Sequence, residues 1–306
     1  MQIKYGLIDN NIDVTSICMN ILKEGDYIVI PSNDCERSEY FTDPIKNVLK
    51  SIFIIDNNGT ITEYDSLKVI YINIVSNEVL LNNIPYSIRL SYAKKRLSKI
   101  HEKLKLKNNK SFKNELPEQQ MVAMYLKGNE SVLEIGGNIG RNSLVISSIL
   151  MKMHNKRFVV LECDKNISKE LTENRELNKK KFNIENSALS KRKLIQKGWD
   201  TKVSNKLLPG YKNINIITYD KIKEKYNIVF DTLVLDCEGA FYYILMDMPE
   251  ILDNIKLIIM ENDYHNIDHK NYIDSILKSN NFYVDYTQSG GWGPCYNNFY
   301  EVWKKD

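Results

Sequence analysis

The sequence predicts an α/β protein: a doubly wound, mostly parallel sheet closed by a C-terminal antiparallel hairpin, with a small β-rich domain in front of it. Three observations predict this. The stretch VLEIGGNIGRNSL at 132–144 reads as an apolar strand, a glycine-rich turn and the start of an apolar-periodic helix. From there strand-like and helix-like segments alternate, as a parallel sheet with crossover helices requires. Residues 1–90, by contrast, carry only short β-rich runs between turn signals.

Those first runs lie at 2–7, 26–30, 50–55, 68–74 and 78–81, punctuated by PSN at 31–33 and NNG at 57–59. Next, Leu90, Ala93, Leu97, Ile100 and Leu104 recur at three- and four-residue steps, predicting an amphipathic helix. The chain's net charge is only +3, yet between Lys94 and Lys113 nine Lys or Arg face one acid, Glu102. No Trp or Tyr is interleaved there for base stacking, so residues 91–115 read as a solvated linker helix rather than a nucleic-acid or membrane-surface helix. A further helix begins at Pro117, and residues 116–306 form the main domain. Its expected strands are 157–162, 182–186, an edge-like 214–218, 231–236 and 256–261. Its expected helices are 168–178, one starting at 242–246, and 268–279. Segments 282–286 and 299–303 pair as the closing hairpin across Ser289, Gly290 and Gly291.

Composition narrows the function classes. No apolar run approaches the roughly 18 to 20 residues needed to cross a bilayer, and the first residues lack the apolar core of a signal peptide. A soluble, cytoplasmic protein is expected. The five cysteines are odd in number, scattered and free of any CxxC pair, which argues for reduced thiols and against a structural zinc site.

What ligand suits the glycine-rich turn? A dinucleotide fingerprint would read G-x-G-x-x-G, whereas Glu134, Gly136 and Gly140 are spaced E-x-G-x-x-x-G. That spacing resembles the first motif of the class I S-adenosylmethionine-dependent methyltransferases. In such a site Gly136 and Gly140 would let backbone approach the ligand, and Glu134 would meet the methionyl ammonium. Glu162, at the end of the next strand, would accept from the ribose hydroxyls.

Beyond the class, residues 116–306 resemble the FkbM family of methyltransferases. The resemblance rests on GGNIG at 136–140, LECD at 161–164, LTENRELN at 171–178, NSALS at 186–190, ITYDKI at 217–222, LVLDCEGAFYYIL at 233–245 and IIMEN at 258–262. The chain departs from that pattern in having Glu134 and Gly137 where Asp and Ala are usual, and Phe241 where an acid often stands. The resemblance implies a Rossmann-like class I methyltransferase sheet. It implies S-adenosylmethionine held by Glu134, Gly136, Gly137, Asn138, Gly140, Asn142, Glu162, Cys163, Ser187, Ala188 and Asp236, with Asn186 beside the adenine. It also implies O-methyl transfer to a sugar, glycan or other small hydroxylated acceptor.

A hydroxyl is a poor nucleophile until its proton is removed. Asp236 or His265 is the expected base, with Glu238 and Glu261 converging on the same strand ends. Asp236, Glu261 and Asp263 form an alternative site for Mg²⁺ or Mn²⁺, since carboxylates suit hard cations. Trp199, Trp292 and Tyr296 are candidate acceptor-stacking rings. Two competing functions remain. An RNA cap 2′-O-methyltransferase would share the fold but call for a catalytic lysine, and none occurs in LVLDCEG or IIMEND. The other is a catalytically inactive methyltransferase-fold binding module that uses the N-terminal domain as its partner contact. The N-terminal domain is also where homo-oligomerisation would be expected.

Overall fold

The computed structural model describes residues 1–81 and 84–305 and divides into two compact units. The first is Met1–Lys99 together with Ala123–Asn129 and Ser148–Asn155; the second is Ile100–Val122, Glu130–Ser147 and Lys156–Asp306. The division falls inside the basic helix, Tyr86–His101.

The second unit is built on a seven-stranded sheet ordered Asn183–Glu185, Phe158–Leu161, Val132–Ile135, Thr232–Leu235, Leu257–Glu261, Tyr300–Lys304, Tyr283–Gln288. The first five run parallel and the Tyr300–Lys304 strand is antiparallel to both its neighbours. This is the doubly wound, Rossmann-like α/β fold with a C-terminal antiparallel hairpin. VLEI, FVVL and TLVL are buried along their whole lengths, as strands covered on both faces must be, so apart from Glu134 and Thr232 their sequences run apolar without alternation. Strand order reverses where Val132–Ile135 pairs with Thr232–Leu235, and such switch points open a crevice at the carboxyl ends.

Segment 214–218 departs from expectation. Only Ile216–Ile217 is extended, and it pairs with Ala188–Leu189 away from the main sheet. Two paired residues per strand offer too little ladder to join the sheet edge. Between these pieces lies an antiparallel sheet that periodicity did not announce, made of Leu194–Lys197, Asp200–Val203 and Lys212–Asn213.

The first unit holds two four-stranded antiparallel sheets, one centred on Gln2–Leu7 and Ser51–Ile55, the other on Tyr27–Ile30 and Ile70–Asn73. Ile3, Tyr5, Ile28, Ile30, Ile52, Ile54, Ile70 and Ile72 fill its core at period-two spacing. Two helices, Thr15–Ile21 and Asp34–Phe41, interrupt the strands. The second escaped pattern reading because it buries Glu36 and Arg37 rather than an apolar stripe. The Arg37 guanidinium donates through Nε and Nη2 to the Pro31, Asp65 and Lys68 carbonyls, which holds inside a charge no hydrophobic rule would place there.

Ala93, Leu97, Ile100 and Leu104 of the basic stretch are buried, as its periodicity predicts. Much of its charge is paired internally: Lys95 with Glu24, Lys107 with Glu173, and Lys110 with Glu170. Among the described residues no helix is long and apolar enough to cross a membrane.

Candidate functional site

A cavity of about 670 Å³ opens at the carboxyl ends of the parallel strands. Gly136, Glu162 and Asp236, each the residue following a strand, line it together with Asn138, Ser187 and Ala188. The far wall comes from the small antiparallel sheet, through Gln196, Trp199, Thr201, Lys202 and Val203. Sites of this size hold ligands of a few dozen atoms.

Glu162 is buried, and the local chain aims it. Its Oε2 accepts from the Asn138 backbone N–H at 2.9 Å and its Oε1 from that of Asp164 at 2.8 Å. Asn138 can present its N–H this way because it sits at φ +44, a conformation asparagine tolerates. Burial pushes the Glu162 carboxyl up, while the two backbone donors pull it back. The Asn186 amide donates to the carbonyls of Glu162 and Cys163, so it braces the strand end and does not line the cavity. Cys163 does line it, with burial raising its thiol to about 11.

The turn glycines also answer a packing need that their spacing did not suggest. A Cβ on Gly136 would stand 1.6 Å from the Asp236 carbonyl oxygen, one on Gly137 2.2 Å from Val160 Cγ1, and one on Gly140 2.5 Å from Leu171 Cδ1. The missing side chains make room for the protein's own neighbouring strand and helix. Gly136 is also at φ +90. Gly136→Ala therefore combines strain with overpacking and is expected to cost about 3 kcal/mol or more. Urea unfolding of the two proteins checks this, and a variant as stable as the parent would contradict the packing account.

Glu134 is 2% exposed and lies away from the large cavity, in a chamber of about 10 Å³ shared with Glu115, Glu118, Asn142 and Asp236. Its Oε2 accepts from Ser143 Oγ at 2.5 Å, and burial raises its carboxyl to about 8 from an ordinary 4.5. The folded chain thus keeps a proton that the unfolded chain releases. This contribution to stability is whole below about pH 4.5 and is lost as pH rises through about 8. Glu134→Gln should remove that dependence, so its stability relative to the parent should climb between those values. Unfolding midpoints across this range would show it; a pH-independent difference would refute it.

The expected catalytic residues separate into two groups. Asp236 and Glu261 come together, and with them Glu118, their carboxylate oxygens all within 4.8 Å of one another. Burial raises the Asp236 carboxyl well above its usual range and Glu261 adds to this; burial and Glu118 likewise raise Glu261. Asp263 turns elsewhere: its Oδ1 accepts from the Gly239 backbone N–H at 2.8 Å, at the start of helix Ala240–Asp247. Glu238 is exposed and lines the large cavity, whereas His265 packs its ring 4.4 Å from that of Trp292. Trp292 and Tyr296 do not line the large cavity; Trp199 does. Phe241 is fully buried in the core, so its position cannot present an acid to the cavity. Glu118 was missed because it belongs to helix Leu116–Tyr125, upstream of the glycine turn, where nothing in local spacing links it to the strand ends. A buried glutamate among apolar helix residues was the available signal.

No family model matches this chain, and no curated protein matches it. Solved structures similar to it include a ribosomal protein L11 methylase from Lactobacillus delbrueckii subsp. bulgaricus (12% identity, 66% of this chain and 83% of that one, TM-score 0.40). Another is an O-methyltransferase from Bacillus cereus in complex with SAH (14%, 73% and 93%, TM-score 0.37). A third is the methyltransferase FkbM from Methylobacillus flagellatus KT (10%, 76% and 64%, TM-score 0.39). At such identities and TM-scores these are distant likenesses only.

Proposed function

We propose that the chain is an S-adenosylmethionine-dependent O-methyltransferase acting on a hydroxyl of a sugar, glycan or other small acceptor. The observation that carries this is Glu162: a buried carboxylate, oriented by two backbone donors, on the wall of a cavity at the sheet's switch point. Its remaining lone pairs suit a vicinal diol such as a ribose. Ser187 and Ala188 would flank the adenine, with Gly136 and Asn138 along the rest of the ligand. The FkbM-like motifs in the sequence support the same reading.

The cofactor supplies a methyl group already activated on a sulfonium. The chain's part is to hold the acceptor hydroxyl in line and take its proton. Asp236 is the group we assign to that task. Its neighbours disfavour the ionised form, and a cationic ligand beside it would restore that form. Trp199 offers a face on which a sugar ring can stack.

The RNA cap reading is weakened because three lysines of the basic stretch, Lys95, Lys107 and Lys110, are paired with acids, which leaves less free positive charge for phosphate. The test is transfer of labelled methyl from S-adenosylmethionine to a panel of sugars, glycosides and capped RNA. Label in a sugar hydroxyl supports the proposal. Label in RNA alone transfers the assignment to cap methylation, and no label anywhere favours an inactive binding module.

A further inference from the structure

Glu118, Asp236 and Glu261 reach one point from three elements: the helix Leu116–Tyr125, the end of strand Thr232–Leu235 and the end of strand Leu257–Glu261. Their carboxylate oxygens lie within 4.8 Å of one another, and Glu118 is 6% exposed. Ligand oxygens of an octahedral Mg²⁺ stand about 3 Å apart when adjacent and about 4.2 Å when opposite, so the three side chains would draw inward to close on such an ion. Three acids this close repel one another unless protons or a cation sit among them: Glu118 and Glu261 interact as a proton-sharing pair, and a divalent ion would displace that proton.

A second observation comes from a residue outside the trio. The chamber of about 10 Å³ that Glu118 and Asp236 line is also lined by Asn142, which is 7% exposed. Its Oδ1 is buried and has no hydrogen-bond partner among the described residues. A buried amide oxygen facing such a space calls for a donor or a cation. The chamber has room for about one water-sized sphere, as a small ion or its bound water needs. The acids and the amide whose side chains line the chamber offer oxygen ligands and no imidazole or thiolate, and that set selects a hard cation over zinc.

We propose that Glu118, Asp236 and Glu261 form a binding site for one Mg²⁺ or Mn²⁺ ion, with Asn142 Oδ1 accepting from its water. The chamber adjoins the large cavity, with Gly136 and Asp236 in the lining of both. The metal site stands whether or not the methyl-transfer reading does; with the ion bound, Asp236 would serve the acceptor as the ion's ligand, and the ion would acidify the hydroxyl in place of a free carboxylate base. Asp263, the third ligand that strand-end spacing suggested, is replaced by Glu118.

The experiment is titration of the full chain with Mn²⁺ alone, bound and free metal being read by electron paramagnetic resonance. One site per chain is expected. Glu118→Gln and Glu261→Gln should each weaken it about tenfold or more, and Asp263→Asn by no more than about twofold, with circular dichroism confirming that each variant is folded. These near-isosteric changes relieve repulsion, so they should fold at least as well as the parent. No Mn²⁺ binding by the parent would overturn the proposal, as would binding unchanged in folded Glu118→Gln. S-adenosylhomocysteine titrated into the same sample separates the two claims: a chain that binds it without Mn²⁺ refutes the metal site alone, and one that binds Mn²⁺ without it refutes the transferase reading alone.

Discussion

Glu162→Ala should weaken S-adenosylhomocysteine binding about a hundredfold. The carboxylate would accept two ribose hydroxyls, and each hydrogen bond to a charged group contributes about 1.5 kcal/mol or more, giving about 3 kcal/mol for the pair. The same carboxylate holds the Asn138 and Asp164 N–H groups, so the variant also loses some stability. Equilibrium dialysis at a temperature where circular dichroism shows the variant folded keeps the two effects apart. Glu162→Gln, which retains one acceptor oxygen, should fall between parent and alanine. Equal affinity in parent and Glu162→Ala would remove Glu162 from the ligand and, with it, the main support for the proposed function.

Asp236→Asn should do the opposite to the two parameters. A general base contributes about 10²- to 10⁴-fold, so kcat should drop by at least about a hundredfold while S-adenosylhomocysteine binds within about twofold of the parent. Asparagine matches aspartate in shape, and it relieves repulsion from Glu261 and Glu118 in a buried space. A stability gain would therefore accompany the loss of turnover. Steady-state rates with a hydroxylated acceptor and binding by dialysis measure both; unchanged kcat would exclude Asp236 from proton transfer.

The parts of the fold that the sequence disclosed are those where one local rule governs. Val132–Ile135, Phe158–Leu161 and Thr232–Leu235 are buried on both faces, so composition alone marks them. Their ends place Gly136, Glu162 and Asp236 on one cavity, a convergence that follows from parallel strands sharing a direction. What stayed hidden depends on packing between distant segments. The reason for Gly136 is the Asp236 carbonyl, a hundred residues on, and only the paired strands reveal it. Asp263, just past a strand end, is the acid that sequence spacing offers, whereas Glu118 lies on an upstream helix; the Gly239 backbone N–H holds Asp263 away from Asp236 and Glu261. The three-stranded wall around Gln196 and Trp199 has strands of two to four residues, too short for periodicity to register.

Calorimetric titration of S-adenosylhomocysteine into the full chain, with NAD as the comparison ligand, tests the central claim most directly. The account predicts one site of micromolar affinity for the first ligand and none for NAD, because the E-x-G-x-x-x-G turn is not spaced to seat a pyrophosphate on the following helix. No heat with S-adenosylhomocysteine, or tighter binding of NAD, would contradict it.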